Sequence, residues 1–161
     1  MKPFVTCLWY DSEAEQAAKF YVSTFRERGK MGSIARVTSG TEVHGRALGS
    51  VLTADFELNG QKFVALNGGP IFTPTEATSI QVMCDTQDEV DYFWDAFLAN
   101  KGTPSACGWL KDKWGHSWQI TPYVLASMIS NPDTAKAKRA MDAMMKMVKL
   151  DIATLEKAYA G

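Results

Sequence analysis

The feature that most constrains this chain is a pattern that occurs twice. A strand-like run, an acidic capping sequence and an amphipathic helix follow one another, and a hairpin comes after them. Phe4 to Tyr10 is apolar, β-branched and aromatic, which reads as a strand; Ser79 to Cys84 reads the same way. Asp11-Ser12-x-x-Glu15 follows the first run and Asp85-Thr86-x-x-Glu89 follows the second, 74 positions later. Each is a capping box, in which a hydroxyl accepts from a free helix N–H and a carboxylate reaches back to another. Ala17, Phe20, Tyr21, Thr24 and Phe25 then form one apolar helix face, and Val90, Phe93, Trp94, Phe97 and Leu98 form the other. Hairpins come next. Val51 to Leu58 and Lys62 to Leu66 flank Asn59-Gly60, and Trp109 to Asp112 and Ser117 to Thr121 flank Trp114-Gly115. Ile34 to Thr38 reads as a further short strand after Gly29 and Gly32. Two origins fit the recurrence: duplication of a βαβββ unit, or two unrelated strand–helix units.

The expected organisation is one α+β domain. It has a first βαβββ unit over 1–67, a linker over 68–78, a second unit over 79–122 and a helical extension over 123–161. In the extension, Asn131-Pro132-Asp133 reads as a helix start, with Asn as cap and Pro at the first helical position. Asp151 is placed to cap a last helix that carries Ile152, Leu155 and Tyr159. Ala137, Met141, Met144, Met145 and Val148 make a Met-rich stripe, which suits either an internal core or the surface of a partner subunit.

Composition narrows the classes of function. With 46% hydrophobic and 22% charged residues the chain is ordinary globular material. A net charge of −1 and no basic stripe argue against nucleic acid or an anionic membrane as partner. No stretch approaches the roughly 20 apolar residues of a membrane-spanning helix, and the N-terminal apolar run is too short for a signal peptide. Cys7, Cys84 and Cys107 are odd in number and lack C-x-x-C spacing, which points to reduced thiols and a cytoplasmic location.

Paired βαβββ units resemble the vicinal oxygen chelate superfamily of glyoxalase I, extradiol dioxygenases and bleomycin-resistance proteins. Residues 4–10, 66–70, 84–91 and above all Cys107 to Ile120 (CGWLKDKWGHSWQI) are similar to its PhnB-like group, labelled 3-demethylubiquinone-9 3-methyltransferase; so is the tail from Ser130-Asn131-Pro132-Asp133. The resemblance implies U-shaped, mixed sheets of the glyoxalase/bleomycin resistance/dihydroxybiphenyl dioxygenase type, with a cavity on the concave face, and a homodimer.

In metal-dependent members, His, Gln or Glu ligands come from the first and last strands of the units. The resemblance carries those positions onto Thr6, Val64, Ser79 and Gln119, of which only Gln119 is a plausible ligand. His44 and His116 fall in loop or turn contexts. We therefore expect no chelated metal and no cofactor. The glycine pairs do not sit between a strand and a helix as in the common S-adenosylmethionine fold, which weakens the methyltransferase label.

With strand alternation read so that Val5, Cys7 and Trp9 pack under the first helix, Thr6, Leu8 and Tyr10 face the cavity. In the second unit Ile80, Val82 and Cys84 pack on the helix while Ser79, Gln81 and Met83 face inward. The candidate cavity residues are Thr6, Leu8, Gln81, Trp109, Lys111 and Gln119. Gln81 fits either that cavity or solvent, and Lys111 either an anionic group of a ligand or solvent. Cys107 is the most accessible thiol on this reading. The expected function is a metal-free dimer that binds a small, partly apolar organic molecule. The alternatives are an enzyme (the methyltransferase of the label, or a metal-dependent lyase, isomerase or dioxygenase) and an interaction protein that uses its Met-rich tail.

Overall fold

The computed structural model describes residues 1–161 and divides into two compact units, Met1–Pro74 and Thr75–Gly161. The first contains β1 (Thr6–Tyr10), α1 (Ala14–Thr24), β2 (Gly29–Arg36), a single helical turn α2 (Thr41–His44), β3 (Val51–Leu58) and β4 (Gln61–Asn67). The second contains β5 (Ser79–Cys84), α3 (Gln87–Ala99), β6 (Thr103–Pro104), β7 (Trp109–Lys111) and β8 (Ser117–Pro122). Three helices follow: α4 (Tyr123–Ile129), α5 (Thr134–Met144) and α6 (Ile152–Ala160).

Each unit has a four-stranded mixed sheet, ordered β1-β4-β3-β2 in the first and β5-β8-β7-β6 in the second. In both, the first strand pairs in parallel with the last and the remaining pairs are antiparallel. The α+β class and the repeated βαβββ order therefore stand as read from the sequence.

The helix-covered face of each sheet makes the core. Under α1 lie Tyr10, Phe56 and Phe63, with Phe56 and Phe63 stacked at 5.1 Å and Tyr21 bonded to Tyr10 hydroxyl to hydroxyl at 3.0 Å. Under α3 lie Val82, Leu110, Ile120 and the fully buried Trp118, whose ring is 4.8 Å from Phe97.

Several local readings need correction. The first capping box does not form. Ser12 caps nothing, Glu15 instead pairs with Lys19 at 2.7 Å, and the Ala14 amide donates to Asn67 Oδ1 at 2.8 Å. A buried side chain at the end of β4 replaces the local cap, which no pattern near residue 12 could announce. The second box does form: Glu89 N donates to Thr86 Oγ1 at 3.2 Å and Asp85 N to Glu89 Oε2 at 2.8 Å. The strand read at Ile34 to Thr38 is the eight-residue β2, which begins at Gly29 and carries a bulge between Met31 and Ile34. Asp133, not Asn131, caps α5, accepting from the amides of Ala135 and Lys136, while Asn131 Oδ1 accepts from Asp133 N. Asp151 caps α6 as expected, accepting from Thr154 N at 2.7 Å.

The tail has its own core of Leu125, Met128, Ala140, Leu150 and Leu155, with Met144 and Met147 packed against it and Met145 left exposed. It is pinned to the rest of the second unit by backbone bonds from Cys107 and Gly108 to the carbonyls of Met147 and Val148. Gln87 and the Asp91–Lys149 pair at 2.7 Å add to this. Gly108 has a φ of +80°, and a Cβ there would lie 2.7 Å from the Ile120 carbonyl and 2.9 Å from Leu150. Only glycine permits that approach. No helix is long and apolar enough to cross a membrane.

Candidate ligand site

The uncovered face of the second sheet gathers most of the expected site residues. In β8, Trp118 and Ile120 turn to the core, so Ser117 and Gln119 turn the other way. The ladders then set Gln81 and Trp109 on either side of Gln119, and Ser79 and Lys111 on either side of Ser117. Gln119 Nε2 donates to Ser79 Oγ at 2.7 Å, and Gln81 Nε2 donates to Gln119 Oε1 at 2.8 Å. The result is a directed chain of three polar side chains on a strand surface, beside the half-buried Trp109. Lys111 Nζ lies 2.5 Å from Glu76 Oε1, and this ammonium holds the Glu76 carboxyl below its ordinary range.

Thr6 and Leu8 do not join such a face. Through the β1–β4 ladder they lie on the side of Phe63 and Ala65, under α1, together with Tyr10. The open side of β1 carries Val5, Cys7 and Trp9, the reverse of the alternation expected from the sequence. The polar Thr6 lies on the helix side of an otherwise largely apolar β1, so period-2 reasoning points the strand the wrong way; in β5, Ser79 and Gln81 mark the open side. Cys7 is accordingly exposed rather than packed under the helix. Cys84 is buried as read, and desolvation, with Glu89 and Asp85 nearby, pushes its thiol up to about 12. Trp9 is anchored by its indole N–H, which donates to the Gly69 carbonyl at 2.8 Å, and by Phe72, edge-on at 4.9 Å. A Cβ on Gly68 would fall 2.0 Å from the Trp9 ring, so that stretch is a tight turn under an aromatic roof.

The open face of the first sheet holds a cleft of about 590 Å³ that sequence reasoning missed. Val5 and Val64 supply apolar wall, and Lys30, Glu57 and Lys62 lie in register across β2, β3 and β4. The β2 bulge, beside this cleft, has no local signal beyond Gly32.

The histidines act in loop and turn roles. His44 ties its loop together through the Ser39 carbonyl and the Arg46 amide, and His116 donates its backbone N–H to Asp112. The buried Asp112 also accepts from Trp114 N and the Trp118 indole, which locks the β7–β8 turn. No three His, Cys, Asp or Glu side chains converge as a metal cluster. Of the four positions that the fold family would use, Thr6 faces the helix and Val64 has no donor. Ser79 and Gln119 already bond to each other. That donor set does not fit a chelated divalent ion.

The model of the family described as 3-demethylubiquinone-9 3-methyltransferase matches residues 2–121. The chain belongs to that family. Among solved structures similar to it, a PhnB protein of Bacillus cereus that bears the same methyltransferase description is 33% identical, with a TM-score of 0.64. The match covers 75% of this chain and 99% of that one. A Pseudomonas aeruginosa protein is 15% identical over 76% of this chain and 98% of its own, with a TM-score of 0.61. A genomically encoded fosfomycin resistance protein of Listeria monocytogenes is 11% identical over 76% and 93%, with a TM-score of 0.50, a likeness of fold alone. No curated protein matches the sequence. The fold is that of the vicinal oxygen chelate proteins, here in a PhnB-like member of the 3-demethylubiquinone-9 3-methyltransferase family. The family match stops before the helical tail, so residues 122–161 lie outside the part that carries the likeness.

Proposed function

We propose that this protein is a metal-free binder of a small, partly apolar organic molecule, and that it works as a homodimer in the cytoplasm. The observation that carries the reading is the Ser79–Gln119–Gln81 chain, an ordered polar edge beside Trp109 on a sheet face that no helix of its unit covers. Apolar surface with a few fixed polar groups is what a site for a small ligand requires. The open face of the first sheet, with Val5 and Val64, carries apolar surface of its own. Neither nucleic acid nor membrane is a partner on this reading. The test is a thermal-shift screen of small organic molecules on the full chain, with native mass spectrometry for the stoichiometry. Saturable stabilisation by a ligand, lost at least tenfold in Gln119→Leu, supports the reading. A library that yields no ligand, or a ligand indifferent to Gln119→Leu, overturns it. Light scattering is expected to give twice the chain mass.

The family description favours a second reading, methyl transfer. The structure offers it little: Gly68-Gly69 leads from β4 into a stretch without a helix, and Gly29 opens a strand. Calorimetric titration with S-adenosylmethionine decides it, and micromolar binding would restore the enzyme.

A further inference from the structure

Lys111 ends a row of hydrogen-bond donors across β7, β8 and β5, and the anion on it is the chain's own Glu76. Directly across the β7–β8 ladder is Ser117, 3% exposed, whose hydroxyl has no hydrogen-bond partner. A buried hydroxyl left unbonded is rare and calls for a cause. Beyond it in the β5–β8 ladder is Ser79, whose oxygen accepts from Gln119 and whose own proton therefore remains free to donate. Two hydroxyls and an ammonium thus line one face, with Glu76 2.5 Å from the ammonium. Glu76 comes from a turn outside any helix or strand, and its side chain is 64% exposed. Besides Lys111 its carboxylate bonds only its own backbone N–H, and an exposed pair of this kind contributes little to stability.

We propose that Lys111 is the receptor for a carboxylate on the bound molecule, and that Glu76 occupies this receptor as an internal competitor. The inference rests on the small-molecule reading above and names the chemistry of one end of the ligand. A carboxylate is the group the receptor already holds, and its single charge matches one ammonium; a phosphate dianion would leave charge uncompensated. On arrival the ligand displaces Glu76. Its oxygens take Lys111 and the Ser117 and Ser79 hydroxyls, and its apolar body lies along Trp109.

Nuclear magnetic resonance of the full chain tests this with three probes: phenylacetate, its neutral counterpart phenylacetamide, and inorganic phosphate. Phenylacetate is expected to shift the Trp109 indole signal and the side-chain amides of Gln81 and Gln119 saturably. Phenylacetamide and phosphate should bind at least tenfold more weakly. Glu76→Gln should tighten phenylacetate binding three- to tenfold, Lys111→Met should weaken it at least tenfold, and Lys111→Arg should retain it. Equal binding of phenylacetamide overturns the carboxylate assignment while leaving the small-molecule reading intact. Phosphate that matches phenylacetate overturns it in favour of a phosphate ester. A Glu76→Gln variant that binds no more tightly removes the competitor. If neither organic probe binds, the inference falls, whereas the broader reading stands or falls on the thermal-shift library and its Gln119→Leu control.

Discussion

The two βαβββ units share strand order and the parallel pairing of first and last strand, but they secure their helices differently. In the second unit α3 is capped from its own sequence by Thr86 and Glu89. In the first, α1 is capped from the far end of the sheet by Asn67, which also donates to the Val51 carbonyl at 3.0 Å. The first unit thereby ties helix, β3 and β4 together at one buried side chain. The second puts its long-range ties elsewhere, in the tail that docks on α3 and on the loop before β7. A shared topology thus tolerates an exchange of local for distant contacts, provided that every buried helix N–H finds an acceptor.

The strongest way to break this comparison is at the core of the second unit. Trp118→Ala removes a fully buried indole and its bond to Asp112, and should cost about 3–5 kcal/mol in denaturant unfolding. A loss below about 1 kcal/mol would mean that the tail, not the sheet, holds this unit. Next come the two caps. Asn67→Ala strands a buried amide and a carbonyl and should cost about 2–4 kcal/mol. Thr86→Ala should cost about 1 kcal/mol, since the end of α3 is open to water. Equal costs would erase the distinction between the units.

The Asp91–Lys149 tie should have a smaller effect, under about 1 kcal/mol, because both groups are exposed. Its hydrogen bond lowers Asp91 from the ordinary 3.8 and raises Lys149 from 10.5. The contribution from Asp91 is present above its unfolded pKa and lost as pH falls through the lowered folded value. That from Lys149 is present below its unfolded pKa and lost as pH rises through the raised one. The gap in melting temperature between the native chain and Asp91→Asn should therefore be steady near neutrality and close at both extremes. Thiol labelling affects stability least and sharpens the comparison of strands β1 and β5. At pH 8 iodoacetamide should modify Cys7 and spare Cys84 until the chain unfolds. Protection of Cys7 would reverse the assigned face of β1.

These contrasts also mark how far the sequence could be read. In the second unit Ser79 and Gln81 alternate with Ile80, Val82 and Cys84, so the strand declares its faces, and the ladders set Gln81, Trp109, Lys111 and Gln119 on one side. In the first unit β1 is largely apolar on both sides and its Thr6 turns toward the helix, so alternation points Thr6 and Leu8 to the face opposite the one they take. Glu76 and Ser117 carry no local signal of a shared place in the fold; the β7–β8 ladder and a turn bring them to Lys111.

By itself the sequence determined the repeat: strand, helix and hairpin, twice, followed by helices. Those elements rest on interactions among near neighbours, such as alternation, helical spacing, Asn-Gly turns and the Thr86 cap, and near neighbours are what a linear chain displays. Tertiary structure alone decided which face of β1 meets α1, that Asn67 caps a helix 53 residues away, and that Lys111 meets Glu76 beside an unbonded Ser117. Each depends on register between strands far apart in the chain, and a shift of one residue in that register exchanges every side chain between core and open face.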